Sequence, residues 1–145
     1  MASARLGLVV ARFDKQGGVV SEMEDSAREA AQERGAEIAA TLVVPGSYDT
    51  PLAADRLARR ASIDAVVVVG AIVTGDTDHD QVIGQAAADG LRDVALDRDT
   101  PVTLGITGPG MSADEAAARV GYGANAVESA LSLAAELEDT AEDHT

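Results

Sequence analysis

Residues 66–84, VVVVGAIVTGDTDHDQVIG, run from unbroken apolar sequence into a glycine, three aspartates and one of the two histidines of the chain. Extended upstream to DAVVVVGAIV (64–73), the segment is apolar on both faces, which is what a central parallel strand covered by helices on each side requires. The sheet should be centred here, and the polar residues that end the strand should lie at its carboxyl edge.

Working outward, three further strand-like segments alternate with helical ones. RLGLVVARF (5–13) is followed by a helix over 19–34, closed by Gly35 at its C-cap. AEIAATLVV (36–44) leads to the turn PGSYD. Pro51 behind Thr50 then opens a helix that Leu52, Leu57 and Ala61 carry to about residue 61. After the central strand, Val82, Ile83, Ala86, Ala87, Leu91, Val94 and Ala95 recur at helical spacing to about residue 97. A fourth strand, PVTLGIT (101–107), precedes GPGM, read as a turn. Helices over 112–120 and 124–138 finish the chain, the second striped by Val127, Ala130, Leu131, Ala134 and Leu137. This alternation predicts an α/β fold of three layers, α/β/α, with a four-stranded parallel sheet and right-handed crossovers. At 145 residues, without repeat or linker, one domain is expected, with the acidic stretch ELEDTAEDHT (136–145) as a tail.

Acidic residues number 25 against 11 basic ones, a net charge of −14, and Lys15 is the single lysine. Such a balance argues against nucleic acid as a partner. The acids are scattered through periodic apolar sequence, so they belong to a folded surface. With a core of Ala and Val, this suggests a salt-rich cytoplasm, where screening limits self-repulsion. No run approaches a membrane span and no secretory signal is visible, so a soluble, cytoplasmic protein is expected. The absence of cysteine excludes disulfides, zinc–thiolate sites, iron–sulfur clusters and thiol nucleophiles.

Ligands of open parallel sheets bind beyond the carboxyl ends of the strands. Those ends are RFD (12–14), VPGSYD (44–49), TGDTDHD (74–80) and GITGPG (105–110). Of the three aromatic residues, Phe13, Tyr48 and Tyr122, the first two fall in these turns, where a ring can stack on a planar ligand or plug the end of the core. His79 stands where the third strand has passed into the next helix, placed to move protons near neutral pH or simply exposed at a helix start. Gly75 and Thr77 precede that helix, whose N–H groups would favour an anion such as phosphate. Asp76, Asp78 and Asp80 offer the competing reading of a cation site, although the spacing lacks the glycine and distal glutamate of a calcium loop. Arg119, apart from the other basic residues, is a phosphate clamp or a surface arginine.

Five stretches, VVARFD, VPGSYDTPLAADRL, DAVVVVGAIVTGDTDH, PVTLGITGPGM and ARVGYGANAVESAL, occur in an order and spacing that resemble the lumazine synthases over about residues 5 to 137. The GITGPGM segment looks most like archaeal members, in keeping with the halophile-like composition. The resemblance implies a flavodoxin-like sheet and an enzyme of riboflavin biosynthesis. Such an enzyme condenses 5-amino-6-(D-ribitylamino)uracil with 3,4-dihydroxy-2-butanone 4-phosphate into 6,7-dimethyl-8-ribityllumazine, with no cofactor and no metal. The substrate's own amine attacks the ketone, so positioning and proton transfer suffice.

By that resemblance, Phe13 stacks on the pyrimidine, and Ser47, Tyr48 and Asp49 hold the ring and ribityl chain. Ile72 and Val73 line the pocket through backbone polar groups. Gly75, Asp76 and Thr77 match the phosphate loop and His79 the catalytic histidine. A neighbouring subunit supplies Leu104 beside the ring and Arg119 to the phosphate. The family implies a homo-oligomer, a pentamer or an assembly of pentamers up to an icosahedral shell. The sequence departs from the family at Asp49, shorter than the common Glu, at Leu104, where an aromatic is frequent, and at Asn125, where many members carry a basic residue. The alternatives are the related archaeal riboflavin synthase, which dismutates the lumazine, a shell-forming protein without activity, and a non-catalytic flavin or pteridine binder.

Overall fold

The structure is a computed structural model that describes residues 3–12, 18–73, 79–111, 115 and 118–142. Its elements are β1 (Arg5–Ala11), α1 (Val19–Glu33), β2 (Glu37–Val44), a 3-10 turn (Ser47–Asp49), α2 (Thr50–Ala58), β3 (Ala65–Val73), α3 (His79–Arg98), β4 (Val102–Met111) and α4 (Tyr122–Glu142). The four strands form one parallel sheet in the order β2-β1-β3-β4.

The valine run behaves as its composition requires. Ala65, Val67, Val69 and Ala71 pack with Leu6, Leu8 and Val10 into a core beneath α1 and α4. Val66, Val68 and Ile72 face the opposite way, joining Val9, Leu57, Leu91 and Ile106 beneath α2 and α3. Val66 to Val69 are completely buried. Successive side chains of a strand point to opposite faces, so a strand without polar alternation must be sandwiched. Each valine removed from water in this way contributes about 1.5–3 kcal/mol to folding.

Helix ends follow local chemistry. Gly35 takes φ +70° after α1, and the Gly35 and Ala36 N–H groups donate to the carbonyls of Gln32 and Ala31, closing the helix as a Schellman motif. Pro51 lies in the first turn of α2, as expected, and the PGSYD turn before it is a 3-10 turn in which the Thr50 hydroxyl donates to the Ser47 carbonyl at 2.7 Å.

Several expectations are corrected. GPGM is not merely a turn, because β4 runs on to Met111, pairing it with Val73. The register slips between Ala71 and Val73, and Gly108 adopts φ +91° opposite the slip, so the segment is strand with a bulge-like irregularity. Pro109 is tolerated because β4 is an edge strand. α2 stops at Ala58, and Leu52 is exposed, because its inward face is Ala53, Ala54, Leu57 and Ala58. Val82 is exposed on α3. The last helix, expected to end near residue 138, continues as α4 as far as Glu142. Most of the helix expected over 112–120 lies outside the described residues; of those described, Glu115 is helical and residues 118–121 form a turn.

α2 and α3 are joined by charge. The Asp55 carboxylate accepts from Arg98 at 2.8 and 3.2 Å and pairs with Arg59 at 2.6 Å. Hydrogen bonding from Arg98 holds the Asp55 carboxyl below its ordinary value against the opposing effect of burial, with Arg59 adding to the lowering. A carboxylate whose native pKa is depressed stabilises the fold above the unfolded value, and that stabilisation is lost as pH falls through the native one. Asp55→Asn should therefore lower the melting temperature by a few degrees at low salt and neutral pH. The deficit should shrink in molar KCl, where exposed pairs are screened, and should begin to shrink below about pH 4, vanishing only once the pH has fallen through the depressed native value and the wild-type carboxyl is also protonated. Differential scanning calorimetry across salt and pH checks all three.

At the bulge, a Cβ on Gly108 would stand 2.0 Å from the Ile72 carbonyl oxygen at a φ that L side chains avoid. Gly108→Ala should cost more than about 1–2 kcal/mol of stability in denaturant titration, since both strain and clash must be relieved.

Candidate active site

The sheet order places a crossover reversal between β1 and β3, since β1 leads to β2 on one side and β2 returns to β3 on the other. Crevices form beyond the carboxyl ends at such switch points. The 3-10 turn closes over this one. A Cβ on Gly70 would stand 3.0 Å from the Ala11 Cβ and 3.2 Å from Ser47 Oγ, so the glycine in the middle of the apolar run lets the Ser47 turn settle onto the sheet end. Ser47 is accordingly buried, whereas its neighbour Tyr48 is 65% exposed. Asp49 turns one carboxylate oxygen back to accept the Gly46 N–H at 3.1 Å, which holds the turn in shape. α3 packs against this turn and begins at His79, which is exposed at the helix N-terminus, while Asp80 behind it is buried.

Ile72, buried on the α2–α3 side, presents its carbonyl to Gly108, and Val73 pairs with Met111 through the backbone. Phe13, Gly75, Asp76 and Thr77, together with Asp78 of the cation reading, lie outside the described residues. Among the described residues no cluster of His, Cys, Asp or Glu with metal-binding geometry occurs, and no helix is long and apolar enough to cross a membrane.

The remaining expected site residues occupy a different surface. Leu104 and Asn125 line one recess of about 410 Å³ between the edge strand β4 and the start of α4, together with Val102, Thr103, Tyr122, Ala126 and Ser129. Arg119 stands one turn upstream, its carbonyl accepting the Tyr122 N–H at 3.0 Å and its guanidinium donating to the Glu115 carbonyl at 2.9 Å. A larger recess, of about 1100 Å³, opens near the amino ends of the strands between Pro101, Asp64 and the last turns of α4. None of the expected site residues lines it, and strand amino ends are not where such sheets bind ligands.

Thus Ser47, Tyr48, Asp49, Ile72 and His79 gather around the carboxyl ends of β1–β3, and Leu104 and Asn125, with Arg119 nearby, gather at the outer edge of β4. Sequence reasoning passed over Gly70, Gly108 and Tyr122. The signal available for the two glycines was their place inside strand patterns, which marks a bulge or a close backbone approach. Tyr122 gave no signal beyond being a rare aromatic, because the recess it lines is formed by elements distant in sequence. Thr107, also unremarked, buries a hydroxyl that finds no hydrogen-bond partner among the described residues.

Comparison with known proteins identifies the family. Residues 3–138 match the family model for 6,7-dimethyl-8-ribityllumazine synthase. The curated 6,7-dimethyl-8-ribityllumazine synthase of Halobacterium salinarum (strain ATCC 29341 / DSM 671 / R1) is 65% identical over 133 residues, covering 92% of this chain and 98% of the relative. That of Halorubrum lacusprofundi is 62% identical over the same shares of both chains. The Methanopyrus kandleri protein of the same name is 44% identical over 139 residues, covering 96% and 97%. The chain belongs to the 6,7-dimethyl-8-ribityllumazine synthase family, whose members are enzymes of riboflavin biosynthesis.

Proposed function

We propose that the chain forms 6,7-dimethyl-8-ribityllumazine from 5-amino-6-(D-ribitylamino)uracil and 3,4-dihydroxy-2-butanone 4-phosphate in a site shared by two copies. Family membership supports the activity, and the curated relatives favour it over the archaeal riboflavin synthase and over a non-catalytic binder. The observation that supports sharing is the division of the site residues between the crevice at β1–β3 and the recess at β4. Large apolar side chains left exposed on an acidic surface, among them Val43, Leu52, Val82 and Leu96, favour an assembly that covers them. A cyclic pentamer, alone or built into an icosahedral shell, satisfies both, because each copy can then offer its crevice to one neighbour and its recess to another.

In this reading one copy holds the pyrimidine with Phe13, Ser47, Tyr48, Asp49 and the backbone of Ile72 and Val73. Gly75, Asp76 and Thr77 carry the phosphate before the N-terminus of α3. The adjacent copy closes the site with Leu104, Asn125 and Arg119. The amine of the uracil attacks the ketone, water leaves as the imine forms, phosphate is eliminated, and the ribitylamino nitrogen then closes the ring on the remaining carbonyl with loss of a second water. His79 relays the protons, and no cofactor or metal takes part. Positioning does most of the work, since the nucleophile and electrophile are both supplied by the substrates. Arg119 carries the compensating charge for an anion approaching a strongly acidic protein. The enzyme works in a salt-rich cytoplasm, in line with the halophile relatives.

The decisive experiment mixes the protein with both substrates in molar KCl and follows the lumazine by absorbance and fluorescence. Formation at the uncatalysed rate by folded, oligomeric protein would refute the assignment. His79→Ala should lower kcat about ten-fold, a small general acid–base effect because the condensation proceeds slowly unaided; full activity at neutral pH would remove the imidazole from the mechanism. Arg119→Ala should raise KM for the butanone phosphate by about ten-fold or more, the scale of a lost charge-assisted hydrogen bond, and an unchanged KM would exclude the clamp.

A further inference from the structure

The recess between β4 and α4 differs from the rest of the surface. In a chain of 25 acidic and 11 basic residues, none of the described residues that line it is charged. Its wall on α4 carries Tyr122, Asn125, Ala126 and Ser129, spaced three, four and seven residues from the tyrosine and hence on one helix face. Tyr122 is the single ring among the described lining residues, 37% exposed, and shares the recess with the exposed Leu104 of the strand.

The backbone that carries this ring is held from both sides. A Cβ on Gly105 would stand 3.1 Å from the Ala126 Cβ and 3.3 Å from the Tyr122 carbonyl oxygen, so β4 and the first turn of α4 are in direct contact. The Thr103 hydroxyl donates to the Ala126 carbonyl at 2.8 Å. On the far side, a Cβ on Gly123 would stand 2.2 Å from the Met23 carbonyl oxygen, and Ser26 Oγ accepts the Ala124 N–H at 3.1 Å, fixing the turn to α1. With the backbone held in this way, only the two side-chain torsions of the tyrosine remain to be fixed when its ring meets a ligand, and a small ordering cost is the condition under which aromatic contacts yield affinity.

We infer that Tyr122 is a specificity-determining residue of the reaction, presenting its ring from the neighbouring copy, beside Leu104, to the heterocycle of the ribitylaminouracil. The inference rests on the shared-site reading above. An uncharged wall suits a neutral planar ring and not the phosphorylated ketone, so the contact should act on one substrate alone.

The test compares Tyr122→Leu, Tyr122→Phe and Leu104→Ala in steady-state kinetics, with the oligomer verified by light scattering. Tyr122→Leu should raise KM for the ribitylaminouracil about three- to ten-fold, the scale of one aromatic contact, and leave KM for the butanone phosphate in place. Tyr122→Phe should restore most of the affinity, because it keeps the ring. An assembled Tyr122→Leu enzyme with unaltered KM for the ribitylaminouracil would overturn the inference. If Leu104→Ala then still raised that KM, only the role of Tyr122 would fall; if neither variant moved it, the shared-site reading would fall as well. Should Tyr122→Leu not assemble, Tyr122→Met, long and apolar without a ring, is measured instead. Failure of both to assemble assigns the residue to packing and likewise overturns the inference.

Discussion

Everything in this molecule depends on a strand that has no face for water. Val66 to Val69 are completely buried, and a parallel strand in that state needs a strand on each side and a helical layer above and below. β1 and β4 supply the first, and α1 with α4 and α2 with α3 supply the second. Because the connections between parallel strands must cross over the sheet, the order β2-β1-β3-β4 leaves a reversal between β1 and β3. The crevice at that reversal is a consequence of covering the valines.

Close approaches then give the two halves of the proposed site their form. The Ser47 turn can lie on the sheet end because Gly70 presents no side chain there, and the end of β3 is shaped by Gly108 against the Ile72 carbonyl. On the other edge, Gly105 and Gly123 let α4 sit between β4 and α1. A small-residue core allows this, since alanines and valines bring backbones nearer than larger side chains would, and the two rings among the described residues lie outside it: Tyr48 and Tyr122 are both exposed. None of the described residues that line the β4 recess is charged.

Charge plays two distinct parts. The surface excess of acid is tolerable where salt screens it, and pairs such as Asp55 with Arg98 and Arg59 contribute least under those same conditions. Stability in concentrated salt must therefore rest on burial more than on ion pairs. At the site the balance differs, because a phosphorylated substrate meets an acidic protein and few cations are present to receive it, which is why one arginine near the recess carries so much of the proposed binding.

The sequence alone determined the layers, the centre of the sheet and the class of chemistry. Hydrophobic periodicity is local, and a valine run with no polar alternation admits few arrangements; likewise the motifs from VVARFD to ARVGYGANAVESAL name residues without knowing where they meet. Tertiary structure decided what depends on distance between remote segments. β4 continues through GPGM because Gly108 can take a left-handed φ beside Ile72, a permission visible only once β3 is its neighbour. Leu52 and Val82 were read as core from spacing, yet lie outside because the alanine faces of their helices pack more closely on the sheet. Leu104, Tyr122 and Asn125 form one wall only because α4 is seated on β4, and that seating is set by contacts between residues as far apart as Ser26 and Ala124, which no pattern along the chain encodes.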